Sequence, residues 1–352
     1  MAGLTLAGMT LVIIVAVILL DGSPHSFRKD ASLALRHWPR CLLENYGLLP
    51  PRRAHYLPGH GTVDILYCTP AVTPTYRGAP MQDSLLVVSD FGKAVYRFNR
   101  SGELEWQHNT GIARGVDISG THIYVGVEKD IIVLSAATGA QLKRYTLPHH
   151  ILALKVDGNS LIVAHDIDQP GAITIYGIDG YNLKKVRSLS QHLRYPRGLA
   201  LARPFLYVAD TFGHRIVKLE LRTGRLVAQI PSFYPNSVAI VNGTLSVAEE
   251  HLNLISEFAL DDLTPLRVVS GVPNASDGSA AFLARQRTPK FSLPSERTDQ
   301  RLRLLSPNDA DAAGRYYYVA DTDHHRVVVL KDGRWWGQLD GFNNPVNVRT
   351  LP

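Results

Sequence analysis

One short apolar strand recurs six times along the chain, and that recurrence constrains the fold more than any other feature. It reads Leu-Val-Val-Ser-Asp at 86–90, Ile-Tyr-Val-Gly-Val at 123–127 and Leu-Ile-Val-Ala-His at 161–165. It returns as Leu-Tyr-Val-Ala-Asp at 206–210, Leu-Ser-Val-Ala-Glu at 245–249 and Tyr-Tyr-Val-Ala-Asp at 317–321. Successive copies end 37, 38, 45, 39 and 72 residues apart. A unit of about forty residues is the period of a four-stranded propeller blade. Each copy follows a short strand such as Pro196-Arg-Gly-Leu-Ala-Leu or Pro235-Asn-Ser-Val-Ala-Ile. An alternating strand comes next, as in Arg215-Ile-Val-Lys-Leu, and a Gly turn leads into a last strand, as in Thr223-Gly-Arg-Leu. β-Branched alternation between Gly turns is strand chemistry, and long helical periodicity is absent. Length alone, at about 150 residues per domain, would suggest two domains. The repeats instead assign residues 58–352 to one all-β ring.

Two copies are more specific. Val208-Ala-Asp-Thr-Phe-Gly-His-Arg-Ile-Val-Lys-Leu and Val319-Ala-Asp-Thr-Asp-His-His-Arg-Val-Val-Val-Leu resemble NHL repeats. The resemblance implies a six-bladed β-propeller of four-stranded blades. The other four copies keep the strands but lose the Arg. Because Asp210 with Arg215 and Asp321 with Arg326 recur as repeat elements, they read as braces inside a blade rather than acid–base pairs. His165, at the Asp place of the third copy, reads as a degenerate repeat residue.

A ring must abolish its free strand edges. The carboxyl-terminal Asn344-Pro-Val-Asn-Val-Arg looks like the inner strand of a blade with no blade after it. Residues 345–350 are therefore expected to complete blade one beside residues 63–98. The 72-residue step contains one blade plus an insertion at about 272–303, which is polar, Pro-interrupted and basic. It is expected to loop over one face.

Counting back from the end of each repeat to the start of its inner strand gives Arg114, Arg197, Asn236 and Asn308. In the third copy the count falls on Leu152, with His149 and His150 just before it, and Asn347 holds a similar place in the closing strand. Inner strands line a propeller channel, so Arg114, His150, Arg197, Asn236, Asn308 and Asn347 are candidate ligand-binding residues. The bland alternative is that they satisfy strand-end backbone groups. Two guanidinium groups at one mouth would suit a carboxylate or phosphate and oppose a divalent cation.

Gluconolactonase-like and arylesterase-like propellers resemble this layout and hold Ca²⁺ with Asn, Asp and Glu at inner-strand starts. Asn236, Asn308-Asp309 and Asp64 would match such positions, but Arg114 and Arg197 depart from the pattern and the anionic share is thin. The peptide-amidating lyase uses the same repeat with three His ligands to Zn²⁺, of which only His149 or His150 has a counterpart here. No cofactor is expected; Ca²⁺ is the alternative. No catalytic residue is assigned, and G-x-S-x-G, phosphate-loop and H-E-x-x-H motifs are absent.

Leu4 to Leu20 form an almost unbroken apolar run, close to the minimum of about 17 residues for a membrane span. It reads as a signal anchor or signal peptide over residues 1–21, followed by a basic lead-in at 22–57. Three N-x-S/T sequons, at Asn99, Asn242 and Asn274, favour a lumenal or extracellular body. The positive flank after the run argues for the opposite orientation. Cys41 and Cys68 allow one disulfide or two thiols. The formal charge of +6 lies in the lead-in and the insertion, so the ring is near neutral and nucleic acid is not an expected partner. The favoured reading is a membrane-anchored or secreted NHL-type propeller that recognises a protein or a small anionic ligand at its channel mouth. The alternatives are a Ca²⁺-dependent hydrolase and, behind it, a Zn²⁺-dependent lyase.

Overall fold

The computed structural model describes residues 73–351 apart from 91, 167–168, 171, 180–181, 190 and 272–299. The apolar run, the lead-in, Cys41, Cys68, Asp64, Asn274 and most of the insertion lie outside the described residues. Among the described residues no helix is long and apolar enough to cross a membrane.

The chain enters through β1 (Thr75–Gly78). Blade one holds β2 (Ser84–Ser89), β3 (Ala94–Phe98) and β4 (Leu104–Asn109). Blade two is β5 (Ala113–Ser119), β6 (His122–Val127), β7 (Asp130–Ser135) and β8 (Gln141–Thr146). Blade three runs through β9 (Ile151–Asp157), β10 (Ser160–His165), β12 (Ile173–Asp179) and β13 (Asn182–Ser188). The short β11 (Gln169–Pro170) pairs with β14 (His192–Leu193) as a separate ribbon. Blade four is β15 (Pro196–Ala202), β16 (Phe205–Asp210), β17 (Arg215–Glu220) and β18 (Leu226–Pro231). Blade five is β19 (Pro235–Val241), β20 (Thr244–Glu249), β21 (Leu254–Ala259) and β22 (Pro265–Gly271). Blade six is β23 (Pro307–Ala313), β24 (Tyr316–Asp321), β25 (Arg326–Lys331) and β26 (Arg334–Asp340).

The last strand, β27 (Pro345–Leu351), pairs antiparallel with β2 and becomes the inner strand of blade one, as the tail sequence implies. The entering segment does something the sequence reading missed. Thr75–Gly78 pairs with β26 and adds a fifth strand to the rim of blade six, not to blade one. Both ends of the described chain therefore close an edge.

The second strand of each blade is buried along its length and mostly apolar, with Ser246 the polar interruption in β20, because both of its faces are covered by other blades. In β2, Leu85 and Val87 pack with Tyr318, Val327 and Val329 of blade six, while Leu86 and Val88 pack with Val116, Ile123 and Val125 of blade two. The alternation of strand side chains makes this two-sided burial automatic. Equivalent clusters join blades two and three, three and four, four and five, and five and six. Six interblade cores close the ring.

Candidate functional site

Every inner strand carries a β-bulge near its start. The ladder skips Arg197 between Pro196 and Gly198, Asn236 between Pro235 and Ser237, and Asn308 between Pro307 and Asp309. It skips Leu152 in blade three, Val346 in blade one, and Arg114 with Gly115 in blade two. A bulge leaves its extra residue outside the ladder and re-aims the side chain. Six bulges in register build one girdle: Arg114, Leu152, Arg197, Asn236, Asn308 and Val346 line a single small cavity with Ser237 and Asn347.

The girdle is closed by its own bonds. Arg197 Nη1 donates to Glu250 Oε2 at 3.3 Å and Nη2 donates to Asn308 Oδ1 at 3.1 Å. Asn236 Nδ2 donates to Glu250 Oε2 at 2.9 Å and also to Asn308 Oδ1. Arg114 Nη1 donates to the Tyr195 hydroxyl at 3.0 Å, and its Nε lies 3.6 Å from Asp90 Oδ2. Two guanidinium groups thus face two carboxylates, and the net charge is zero. Burial lifts the Asp90 carboxyl above its ordinary range against the pull of Arg114 and Arg197. Burial also works against the charge on both arginines. At Arg197 it wins and lowers the basicity, whereas at Arg114 the attraction of Asp90 and Tyr195 outweighs it. The cavity left inside is about 10 Å³, room for about one water.

Of the sequence candidates, Arg114, Arg197, Asn236 and Asn308 meet in this girdle, and Asn347 meets them from one residue further along its strand. Val346 holds the bulge of blade one, so Asn347 matches Ser237 and Asp309 instead. Its Oδ1 accepts from Gly115 N at 2.7 Å and its Nδ2 donates to Asp309 Oδ2 at 3.3 Å. His150 does not join. Blade three begins at Ile151, so His149 and His150 precede the bulge and are exposed, with the His149 ring edge-on to His165 at 5.9 Å. The sequence reading missed Asp90, Tyr195 and Glu250. Glu250 stands where blades four and six have Thr211 and Thr322, whose hydroxyls each donate at 2.7 Å to the carbonyl of the next inner strand's first residue, Pro235 or Pro345. An acidic residue at a Thr position was the available signal.

The repeat carboxylates are braces. Asp210 accepts from Arg215 Nε at 2.8 Å and from the Arg194 and Tyr195 amides. Asp321 accepts from Arg326 Nε at 2.7 Å, from the Leu305 amide and from His324 Nδ1. Glu249 does the same work with Ser232 and Ser256.

The residues present do not suit Ca²⁺ at the inner-strand starts. The Asn308 amide oxygen is already engaged by Arg197 and Asn236, and Glu250 is held by Arg197 and Asn236. Among the described residues no three His, Cys, Asp or Glu side chains gather as metal ligands.

Above the girdle, the turns of blades four and five carry a continuous set of rings. Tyr195 stacks on Phe212 at 4.3 Å and Tyr234 stacks on His251 at 4.0 Å. His214 and Phe233 meet both Tyr234 and one another edge-on or stacked, within 5.7 Å. Phe212 is 45% exposed. Burial, followed by the nearby His251 and Arg194, pushes the His214 imidazole below its ordinary range, with Asp210 opposing. Of the other exposed large apolar side chains, Leu142, Val186, Val227 and Leu266 sit on rim strands and Ile112 lies in the turn before β5. Tyr195 ties this ring cluster to the girdle through Arg114.

No protein-family profile matches the chain. The outer membrane protein assembly factor BamB of Burkholderia pseudomallei (strain K96243) is 25% identical over 164 residues, 45% of this chain and 42% of that protein. The match thus spans less than half of that relative. A protein of unknown function from Bacteroides caccae superposes with a TM-score of 0.57 at 13% identity, over 77% of this chain and 98% of that one. A chain of the nidogen/laminin complex superposes with a TM-score of 0.55 at 12% identity, over 75% of this chain and 97% of that one. What the comparisons and the strand order establish together is the architecture: this chain is a six-bladed β-propeller.

Proposed function

We propose that the chain is a membrane-anchored or secreted NHL-type propeller that recognises a protein partner through the upper face of blades four and five. The observation that carries this reading is the ring cluster of Tyr195, Phe212, His214, Phe233, Tyr234 and His251, with Phe212 standing in solvent. Contiguous aromatics beside charged and polar groups are the composition of protein-binding hot spots. BamB is named for outer membrane protein assembly, and the nidogen chain comes from a complex with laminin, which is consistent with a protein-binding role for this fold. Anchoring or secretion rests on the apolar run at Leu4–Leu20. A small anion at the girdle is the weaker reading, because both guanidinium groups already have carboxylate partners.

Photo-crosslinking tests the proposal. A benzoylphenylalanine at position 212 is compared with one at position 186, where Val186 is 61% exposed on the rim. A discrete protein adduct is expected from 212 and not from 186, and His251→Ala should weaken it. Equal adducts from both positions, or none from 212, would reject an upper-face recognition site.

A further inference from the structure

Four turns, at 192–195, 211–214, 232–235 and 250–253, carry the ring cluster of blades four and five. Their charged side chains are Arg194 and Glu250, beside the imidazoles of His192, His214 and His251. The anion is spent, since Glu250 Oε2 accepts from Arg197 and Asn236. The cation is not. The Arg194 backbone amide donates to Asp210 Oδ1 at 2.8 Å, but its guanidinium group is exposed and has no ion pair or hydrogen bond among the described residues. Arg114, Arg197 and Arg215, at the same end of the ring, are held by Asp90, Glu250 and Asp210.

The free charge borders the rings. Arg194 precedes Tyr195, whose ring stacks on Phe212 at 4.3 Å, and Phe212 is the exposed member of that pair. After burial and His251, Arg194 is the next influence that lowers the His214 imidazole, so its charge is felt inside the cluster. An exposed aromatic ring beside an unspent guanidinium group is complementary to an apolar side chain beside a carboxylate.

We propose that the upper-face site takes an acidic segment of a protein partner, with an aspartate or glutamate carboxylate on Arg194 and a neighbouring aromatic or aliphatic side chain on Phe212. The acidic-partner assignment rests on the upper-face reading. A carboxylate on Arg194 forms charge-assisted hydrogen bonds with the guanidinium fork. A basic segment meets a like charge there and finds no free carboxylate in the four turns. A neutral segment excludes water from the guanidinium group without supplying a counter-charge.

Calorimetry with the full chain and three acetylated hexapeptides, built of Glu-Tyr, Gln-Tyr or Lys-Tyr repeats, tests it. Saturable binding of the Glu-Tyr peptide is expected, at least fivefold tighter than the Gln-Tyr peptide, with the Lys-Tyr peptide weakest. Arg194→Gln should erase the difference between the first two, and Arg194→Glu should place Lys-Tyr above Glu-Tyr. Phe212→Ala should weaken the Glu-Tyr peptide at least fivefold; circular dichroism confirms that each variant is folded. Equal binding of the three peptides, or an order unchanged by Arg194→Glu, would overturn the proposal, and loss of that equal binding in Phe212→Ala would still leave an upper-face site. No binding of any peptide also overturns it, and the crosslink from position 212 then decides the upper-face reading separately. A dimer in analytical ultracentrifugation that Phe212→Ala dissociates would assign the face to a second copy and overturn it likewise.

Discussion

At the residue scale, the channel is governed by which side chain falls on each bulge. Gly198 shows how tightly the inner strands meet, since a Cβ there would lie 2.6 Å from the Ser237 Cα. Neither backbone can yield without disturbing its ladder. Gly198→Ala is expected to destabilise the fold by about 2–3 kcal/mol in urea unfolding, the cost of overpacking. An unchanged midpoint would mean that the two strands separate freely. Glu250 is the second test. Removing it leaves Arg197 beside Arg114 with less compensating charge, and Glu250→Ala is expected to cost about 3 kcal/mol, the lower end for breaking a buried pair. A loss under about 0.5 kcal/mol would place the pair in the class of surface bridges. Most of the girdle was legible because a repeat of fixed register delivers the same strand position each time, so Arg114, Arg197, Asn236 and Asn308 could be counted out. What could not be read was which residues answer them. Asp90 and Glu250 come from different blades than the arginines they face, and only the closed ring brings those pairs together. His150 was misplaced because an imidazole one or two residues before a bulge lies outside it.

At the element scale, closure depends on two terminal strands of unequal weight. β27 supplies the inner strand of blade one and buries Val346, Val348 and Leu351 in two interblade cores. β1 lies on the outer rim of blade six, where Tyr76 is only partly buried and Arg77 pairs with Asp340 in the open. A chain ending at Asn344 is therefore expected to lose cooperative unfolding and aggregate through the bare edge of β2. A chain beginning at residue 79 should keep the cooperative transition with a lower Tm. Thermal scans followed by circular dichroism distinguish the two, and equal losses would contradict this ranking. β27 was legible as an inner-strand sequence lacking a blade. β1 was not, because Thr75-Tyr-Arg-Gly is four residues without alternation, and its pairing comes from the already formed edge of β26.

At the scale of the whole molecule, acid sensitivity follows from two imidazoles held neutral. Burial, helped by His149, pushes His165 down to about 4, and burial, helped by His324, does the same to His325. An unfolded histidine titrates near about 6.5. Between those values the unfolded chain binds protons that the folded chain refuses, so stability falls as pH drops from about 6.5 toward 4 and is fully present above. The ceiling is about 3 kcal/mol per histidine. Urea midpoints between about pH 7 and pH 5 should fall accordingly, and His165→Gln with His325→Asn should flatten the slope; a flat profile in the unmodified chain would mean both rings are solvated. The ring also divides its own surface. Its upper mouth is closed by a charge-balanced girdle, which leaves recognition to the rings above it. Hydrogen exchange on the complex formed with the partner crosslinked at position 212 tests this division most directly. Protection should concentrate in the turns at 192–195, 211–214, 232–235 and 250–253. Protection confined to the rim or to the lower ends of the inner strands, with those turns unchanged, would contradict it.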